Sequence, residues 1–552
     1  MASDEPGEPA DDTAGHRRLL TLAGAAVLTV VVATAPGGES LSTEGQYALA
    51  TMAFAAVLWV TGSLPLSLTA LTVPLLLTAL GVYPTLREPL MAFADPVVFL
   101  LFAGFALAAA LQSHGVDRRL ALALVSRVGT SPRRIVLAVM VATAALSMVI
   151  SNTATTAMMV PIALGVVGQV TGERPSPRPD GAHGPDPAIE ASASTADGGE
   201  ATASDATSSD PSNMQVATLL GTAYAATVGG VGTLIGTPPN AIVAGQLESY
   251  LGVTVTFADW LLVGLPLVAV ALPLTWYLLV YRLYPPEARD VSGARAAAEA
   301  RLADAGDLGP EARRTVAIFG LTAALWLLGG FASAFEPVLS PAAFTTLFGG
   351  SGPTVFGTTG HQGLLYYVLV GLVAVVALVA TGAAPWDDLL RIDWGTLLLL
   401  GGGLSLADGL RDSGAIDWLA TEGVAALGTV PVVVLVLAVV GSTVLLGELA
   451  SNTAMAAVLA PLLITAGPAY AARLGTTGDL ASVFLAVTVA IAASFGFALP
   501  VATPPNAIVF GSGAIGREHM LRAGVVLDFV MILLVTAAAF VGLAVVLPVV
   551  FG

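Results

Sequence analysis

Cysteine is absent from the 552 residues, which excludes disulfides, thiolate metal sites and cysteine nucleophiles. Lysine is absent as well. The 21 basic side chains are all arginines, set against 38 acids for a net charge of −17, so no basic surface exists for nucleic acid. Charge of either sign is scarce at 11% of the chain, against 56% hydrophobic residues. A soluble protein of this size cannot clothe its surface with so few polar groups, and a water-soluble enzyme is excluded. The N-terminus, MASDEPGEPADDTAGHRR, lacks the basic stretch and cleavage site of a signal peptide, so residues 1–18 are expected to form a disordered cytoplasmic tail.

What the chain has in abundance is apolar runs of about 18 residues or more, the length that crosses a bilayer core of roughly 30 Å. They fall at 19–35, 46–63, 65–82, 96–113, 133–170, 214–247, 258–284, 312–334, 361–381, 394–410, 429–468, 479–510 and 521–550. Two of them, 133–170 and 429–468, are about twice one span and carry a polar SNT triplet at their centres. Two apolar arms around a polar tip read as a re-entrant hairpin, tolerated at membrane depth only beside protein or a wet cavity. With both hairpins taken as non-crossing, eleven spans remain, the N-terminus inside and the C-terminus outside. Only Arg87, Arg411 and Arg473 of the 21 arginines then lie outside, which satisfies the positive-inside rule.

The expected fold is therefore an all-α polytopic membrane protein. Residues 19–170 form first-repeat spans and a re-entrant hairpin. Residues 171–213, rich in Ser, Asp, Pro and Gly, form a disordered acidic cytoplasmic insert. Residues 214–284 hold a broken helix and a span, 285–311 a helical cytoplasmic connector, and 312–552 the second repeat.

The repeat is explicit. SNT stands at 151–153 and again at 451–453. Gly104–Leu111 through Gly115 matches Gly403–Leu410 through Gly414, and TPPNAIV occurs at 237–243 and 503–509. One SNT alone is an ordinary helix cap, and one TPP alone merely kinks a packed span; the ordered pairing of both removes these bland readings. Five crossings separate the hairpins, so the copies enter from opposite sides, an inverted repeat whose site is expected near the midplane.

These residue types suit anion and cation binding. Each SNT opens a half-helix whose free N–H groups carry the positive end of the dipole, so two facing tips offer two cradles for carboxylates. Consecutive prolines at 238–239 and 504–505 remove donors and break the helix. The carbonyls of Gly236 and Ala502, beside Ser and Asn oxygens, then supply hard-oxygen ligands suited to Na⁺.

ISNTATTAMMVPIALG, GGVGTLIGTPPNAIV, LLLLGGGLSLADGL, ELASNTAMAAVLAPL and ASFGFALPVATPPNAIVFGSG together resemble the divalent anion/sodium symporter (DASS) family of dicarboxylate carriers. The resemblance covers roughly residues 45–552 apart from the insert. It implies a plasma-membrane homodimer, an elevator-type transport domain and sodium-coupled movement of C4-dicarboxylates, with sulfate, citrate or phosphate as alternatives on the same scaffold. By motif position it implies one Na⁺ at Ser147, Ser151, Asn152 and Gly236, and a second at Gly447, Asn452 and Ala502. Substrate contacts are implied at Asn152, Thr153, Thr237, Asn452, Thr453 and Pro504. One departure stands out: the family often has threonine four residues before the second SNT, where this chain has Gly447, so either a backbone carbonyl serves there or that sodium site is weaker.

Other residues have plainer expectations. Glu448 is read as bonding the hairpin backbone, with cation or proton coupling as the alternative. Asp408 is read as pairing with Arg411, Gly401–Gly403 as a close helix contact, and Trp59, Trp260, Trp276, Trp386 and Trp394 as interfacial anchors. No Walker-type loop, HExxH or nucleophile elbow is present, which leaves a channel as the competing class.

Overall fold

The computed structural model describes residues 10–35, 40–127, 131–171, 211–287, 292–419, 421, 430–449 and 451–546. Almost all of this is helix. The first half contains α1 (Ala10–Thr34), α2 (Thr43–Thr61), α3 (Leu66–Ala79), α4 (Pro96–Ser113), α5 (Val116–Ser126), α6 (Pro132–Ser147), α7 (Asn152–Thr171), α8 (Asn213–Gly230), α9 (Pro238–Leu251) and α10 (Phe257–Tyr277). After the connector α11 (Ser292–Asp304) come α12 (Pro310–Gly329), α13 (Pro341–Phe348), α14 (Tyr367–Ala380), α15 (Trp394–Asp412), α16 (Val432–Gly447), α17 (Asn452–Leu474), α18 (Gly478–Ala493), α19 (Pro504–Gly511) and α20 (Arg517–Val541). Five described helical stretches are long and apolar enough to cross a membrane: Arg87–Ser113, Phe257–Leu283, Pro310–Gly329, Asn452–Leu474 and Arg517–Val545.

Local sequence sets these boundaries. Asp95 accepts from Val97 N at 2.8 Å, and Pro96 takes the first turn of α4, where a missing N–H costs nothing. Thr256 and Asp259 form a reciprocal capping box at the start of α10. α1 begins at Ala10, inside the stretch expected to be a tail. Residues 1–9 and most of the acidic insert, 172–210, lie outside the described residues.

Two features were not foreseen. α5 is a short amphipathic helix after Gly115, whose φ of +60° suits glycine. Gly350–Pro353 and Thr359–His361 pair antiparallel, with Gly350 opposite His361, in a small hairpin that carries no apolar alternation.

The two halves interlock. Hairpin arms α6 and α7 pack on α8, and arms α16 and α17 pack on α18. The half-helix after each break then crosses to the other repeat, α9 onto α17 and α19 onto α7. Gln246 Nε2 donates to Ala457 O at 3.3 Å across the first junction, and Tyr224 Oη on α8 donates to Phe497 O at 2.9 Å in the second break. Around this body, α15 lies against α3, where a Cβ on Gly402 would stand 2.5 Å from Ala70 Cβ. The glycine triplet is thus a packing device, as read. Asp408 pairs with Arg411 at 3.1 Å, and Arg411 also donates to Ser249 Oγ at 3.0 Å, tying α15 to the end of α9. The tryptophan expectation needs correction: Trp59 and Trp260 are buried, while Trp386 and Trp394 are about half exposed.

Candidate functional site

Both SNT triplets sit where a hairpin turns. Ser151 and Ser451 end the turn and accept from Ala154 N (3.3 Å) and Ala454 N (3.5 Å), so each serine caps the arm that Asn152 or Asn452 opens. In the first repeat, the buried Ser147 hydroxyl meets both Asn152 Oδ1 and the Ala226 carbonyl, the latter at 2.7 Å. Three oxygens therefore converge with one hydrogen between them, an excess of acceptors that suits a hard cation. The break lies directly against them: a Cβ on Gly230 would stand 2.5 Å from Asn152 Oδ1, and a Cβ on Gly236 would stand 2.5 Å from Gly230 O. Ser147, Asn152 and Gly236 are thus brought into one cluster, and glycine is required at 230 and 236 by close approach.

Each break is held open by the asparagine of TPPN. Asn240 Nδ2 donates to Gly230 O (3.2 Å) and Thr233 O (2.8 Å); Asn506 Nδ2 donates to Gly496 O (3.1 Å) and Leu499 O (3.0 Å). The two clamps reach back the same ten and seven residues. Both asparagines are fully buried, and their Oδ1 atoms, like that of Asn452, have no hydrogen-bond partner. Sequence reasoning passed over these residues, although the last letter of the repeated TPPN was the signal. Exchanging the donor for an acceptor sets a carboxylate against two carbonyls. Asn240→Asp and Asn506→Asp should each lower stability by about 3 kcal/mol, read as a fall in thermal midpoint of the solubilised protein, with Asn213→Asp at an exposed site as the unaffected control.

The tips are pinned to the breaks by different chemistry. In the first repeat the Thr233 hydroxyl donates to Met148 O. In the second, Glu448 occupies the place of Met148, and its carboxylate accepts from Ala498 N (3.0 Å) and Leu499 N (2.7 Å). The structural expectation for Glu448 is met with a different partner, since these N–H groups belong to the broken helix and not to the hairpin itself. Asp528 on α20 accepts from the neighbouring Phe497 N at 3.1 Å. Trp260 serves the first break instead, donating to Val231 O at 2.9 Å.

Beside the second tip lies a cavity of about 590 Å³, lined by Ser451, Asn452, Thr453, Ala502, Thr503 and Pro504 and, from the opposite wall, by Ser67, Asp393 and Thr396. Among the described residues, no arginine or histidine lines it. Asp393, which sequence reasoning also missed, caps α15 by accepting from Thr396 N at 3.1 Å. Asn152, Thr153 and Thr237 are not in this wall: Thr153 is exposed, Asn152 half-buried and Thr237 buried. α19, which begins at the cavity, nevertheless packs on α7, the arm that Asn152 opens. Helix N-termini, neutral oxygens and the carboxylate of Asp393 are what this chamber offers a ligand. That chemistry binds and releases small ions without making or breaking bonds.

Comparison with known proteins agrees. The chain is 34% identical over 495 residues to a protein of Haemophilus influenzae named only as an uncharacterized transporter, covering 89% of this chain and 90% of that one. It is 31% identical over 501 residues to the sodium-dependent dicarboxylate transporter SdcS of Staphylococcus saprophyticus, with 90% and 86% covered. Among solved structures, the YdaH transporter of Alcanivorax borkumensis shares the fold at 17% identity and a TM-score of 0.52, covering 96% of this chain and 98% of that one. MtrF of Neisseria gonorrhoeae does so at 12% identity and the same TM-score, covering 96% and 95%. Residues 16–547 match the model described as the sodium:sulfate symporter transmembrane region, and the chain belongs to that family of membrane transporters.

Proposed function

We propose that the chain is a secondary active carrier that couples Na⁺ to the movement of a C4-dicarboxylate such as succinate, malate or fumarate across the plasma membrane. The observation that carries this reading is the pair of asparagine-clamped helix breaks, each set against a hairpin tip and each followed by a half-helix that crosses into the other repeat. One Na⁺ is assigned to Ser147, Ser151, Asn152 and Gly236, and a second to Gly447, Asn452 and Ala502. The dianion is assigned to Asn452, Thr453 and Pro504 in the cavity and to Asn152, Thr153 and Thr237 from the first repeat. Bound sodium supplies positive charge to a chamber whose lining includes the carboxylate of Asp393, so cation and anion enter together. The eleven-span topology, the homodimer and the elevator movement belong to the same proposal. The SdcS relative supports a dicarboxylate as cargo, while the family description keeps sulfate as the second reading.

The test is uptake of labelled succinate by proteoliposomes with and without an inward Na⁺ gradient, with choline replacing Na⁺ and with sulfate, citrate and phosphate as competitors. Accumulation at least tenfold above the choline control is expected. Equal uptake in choline removes the coupling, and sulfate uptake without succinate uptake moves the cargo to the second reading.

A further inference from the structure

We propose that a second cavity, at the C-terminal end of α9, binds a small organic ammonium ion of the choline type between the carboxylate of Glu248 and the rings of Trp326, Tyr366 and Tyr367. The cavity holds about 300 Å³ and shares no lining residue with the chamber beside Asn452. Glu248 stands in the last turn of α9, Trp326 in the last turn of α12, and the two tyrosines lead into α14. The inverted repeat sets this place apart. The TPPNAIV register puts Glu248 opposite Ala514, so the second half-helix has no acid here and the carboxylate is not part of the duplicated machinery.

The charge in this wall is of one sign. Among the described residues, no arginine or histidine lines the cavity and Glu248 has no ion pair. Its bond is to a neutral group, the Tyr367 hydroxyl, which donates to Glu248 Oε2 at 2.9 Å. Arg411 reaches the adjacent Ser249 Oγ at 3.0 Å, but its charge is matched by Asp408 at 3.1 Å and Asp412 at 3.3 Å. α9 also packs on α4, whose capping Asp95 adds negative charge near Glu248. A cation is therefore drawn in. A divalent metal wants several hard ligands, and no group of three or more acidic or histidine side chains able to hold one stands together among the described residues. One carboxylate among aromatic rings suits instead a cation whose charge is spread over methyl groups. The rings are held in place before any ligand arrives. Trp326 stacks on Phe257 with centroids 5.2 Å apart and donates to Tyr367 O at 2.7 Å, and the rings of Tyr366 and Tyr367 lie 4.8 Å apart. Tyr366 Oη is buried without a hydrogen-bond partner, a donor left over for a ligand oxygen such as the choline hydroxyl. The volume is that of a small-molecule pocket and more than a bare ion fills.

The experiment titrates choline chloride into the full-length detergent-solubilised protein at constant, excess NaCl, with an equal addition of NaCl as the blank. Thermal midpoint and tryptophan fluorescence are followed. Dimethylbutanol, which has choline's shape with carbon in place of the charged nitrogen, is the neutral comparison. Choline should reach half-maximal response at a concentration at least tenfold below that of the neutral isostere. Glu248→Gln keeps a carbonyl to accept from Tyr367 Oη and removes only the charge; it should raise the choline concentration needed roughly tenfold or more. Gln362→Glu adds a second carboxylate at an exposed position of the same wall and should lower it severalfold, which keeps the test decisive if Glu248→Gln misfolds. Asn452→Ala should bind choline as the wild type does, whatever becomes of its transport. A wild type that answers choline no better than the isostere or the NaCl blank overturns the proposal, as does an unchanged Glu248→Gln or Gln362→Glu curve. Loss of the choline response in Asn452→Ala places the ion in the chamber and overturns it too, whereas failure of sodium-driven uptake bears only on the carrier reading.

Discussion

Asn152→Ala and Asn452→Ala, made separately, should each reduce sodium-driven succinate uptake at least a hundredfold while the protein still inserts and purifies as the wild type does. The carboxamides stand at the first turns of α7 and α17, where the proposed site gives each two parties to serve. Asn152 Oδ1 meets the Ser147 hydroxyl and lies against Gly230 of the break, and Asn452 lines the cavity beside Thr453 and Pro504. In the proposed site, removing one such group takes a ligand from the cation and a donor from the anion. Two charge-assisted contacts at about 1.5 kcal/mol each total about 3 kcal/mol, and every 1.4 kcal/mol is tenfold. Stability should change little, because Ser151 and Ser451 carry the capping bonds, Ser147 keeps its bond to Ala226 O when Asn152 Oδ1 is removed, and Asn452 makes only a long contact to Ser494 O. Asn213→Ala, at an exposed contact to Pro285 O, is the matched control and should transport normally. Normal sodium-dependent uptake by either tip variant would remove that tip from the site.

Much of this site was legible because membranes make polar interruptions conspicuous. A Ser-Asn-Thr triplet or a Pro-Pro pair inside an apolar run has few reasons to exist, and the ordered repetition of both leaves fewer. The helices follow the apolar runs closely: 133–170 resolves into α6 and α7 around residues 148–151, and 479–510 into α18 and α19 around the break at 494–503. The clamps were not legible for an ordinary reason. Asparagine three residues into a helix N-terminus attracts no notice, and its value here comes from two carbonyls seven and ten residues back that only an unwound backbone presents. Glu448 could be recognised as a costly charge at depth, but its acceptors' partners lie 50 and 51 residues downstream. Trp260 misled because tryptophan near a span end is favourable both at the interface and as a buried donor, and here Val231 O claims its N–H. The strand pair at 350–361 has the composition of a loop, and its pairing comes from chain reversal between Gly349 and Gly363, both at φ near +90°.

The second large effect concerns Glu448, whose charge invites two explanations that substitution separates. As a pin, its two oxygens satisfy the N–H groups of Ala498 and Leu499 within a buried break. Glu448→Ala strands both donors, each at about 1–3 kcal/mol, and frees the loop that carries Ala502 and Pro504. A loss of about 4 kcal/mol in stability and of uptake by more than a hundredfold is expected. Glu448→Gln keeps one carbonyl oxygen for one of the two donors, so its thermal midpoint should fall between those of the alanine variant and the wild type, with uptake partly retained. The first repeat calibrates the comparison, since Thr233→Val removes a neutral hydroxyl bond to Met148 O and should cost only about 1 kcal/mol. A glutamate acting as a coupling charge instead predicts the reverse pattern for Glu448→Gln: a wild-type thermal midpoint with sodium dependence abolished. The graded order in stability, alanine below glutamine below glutamate, follows from geometry alone, because what the break requires at this position is two acceptors aimed at two adjacent backbone donors.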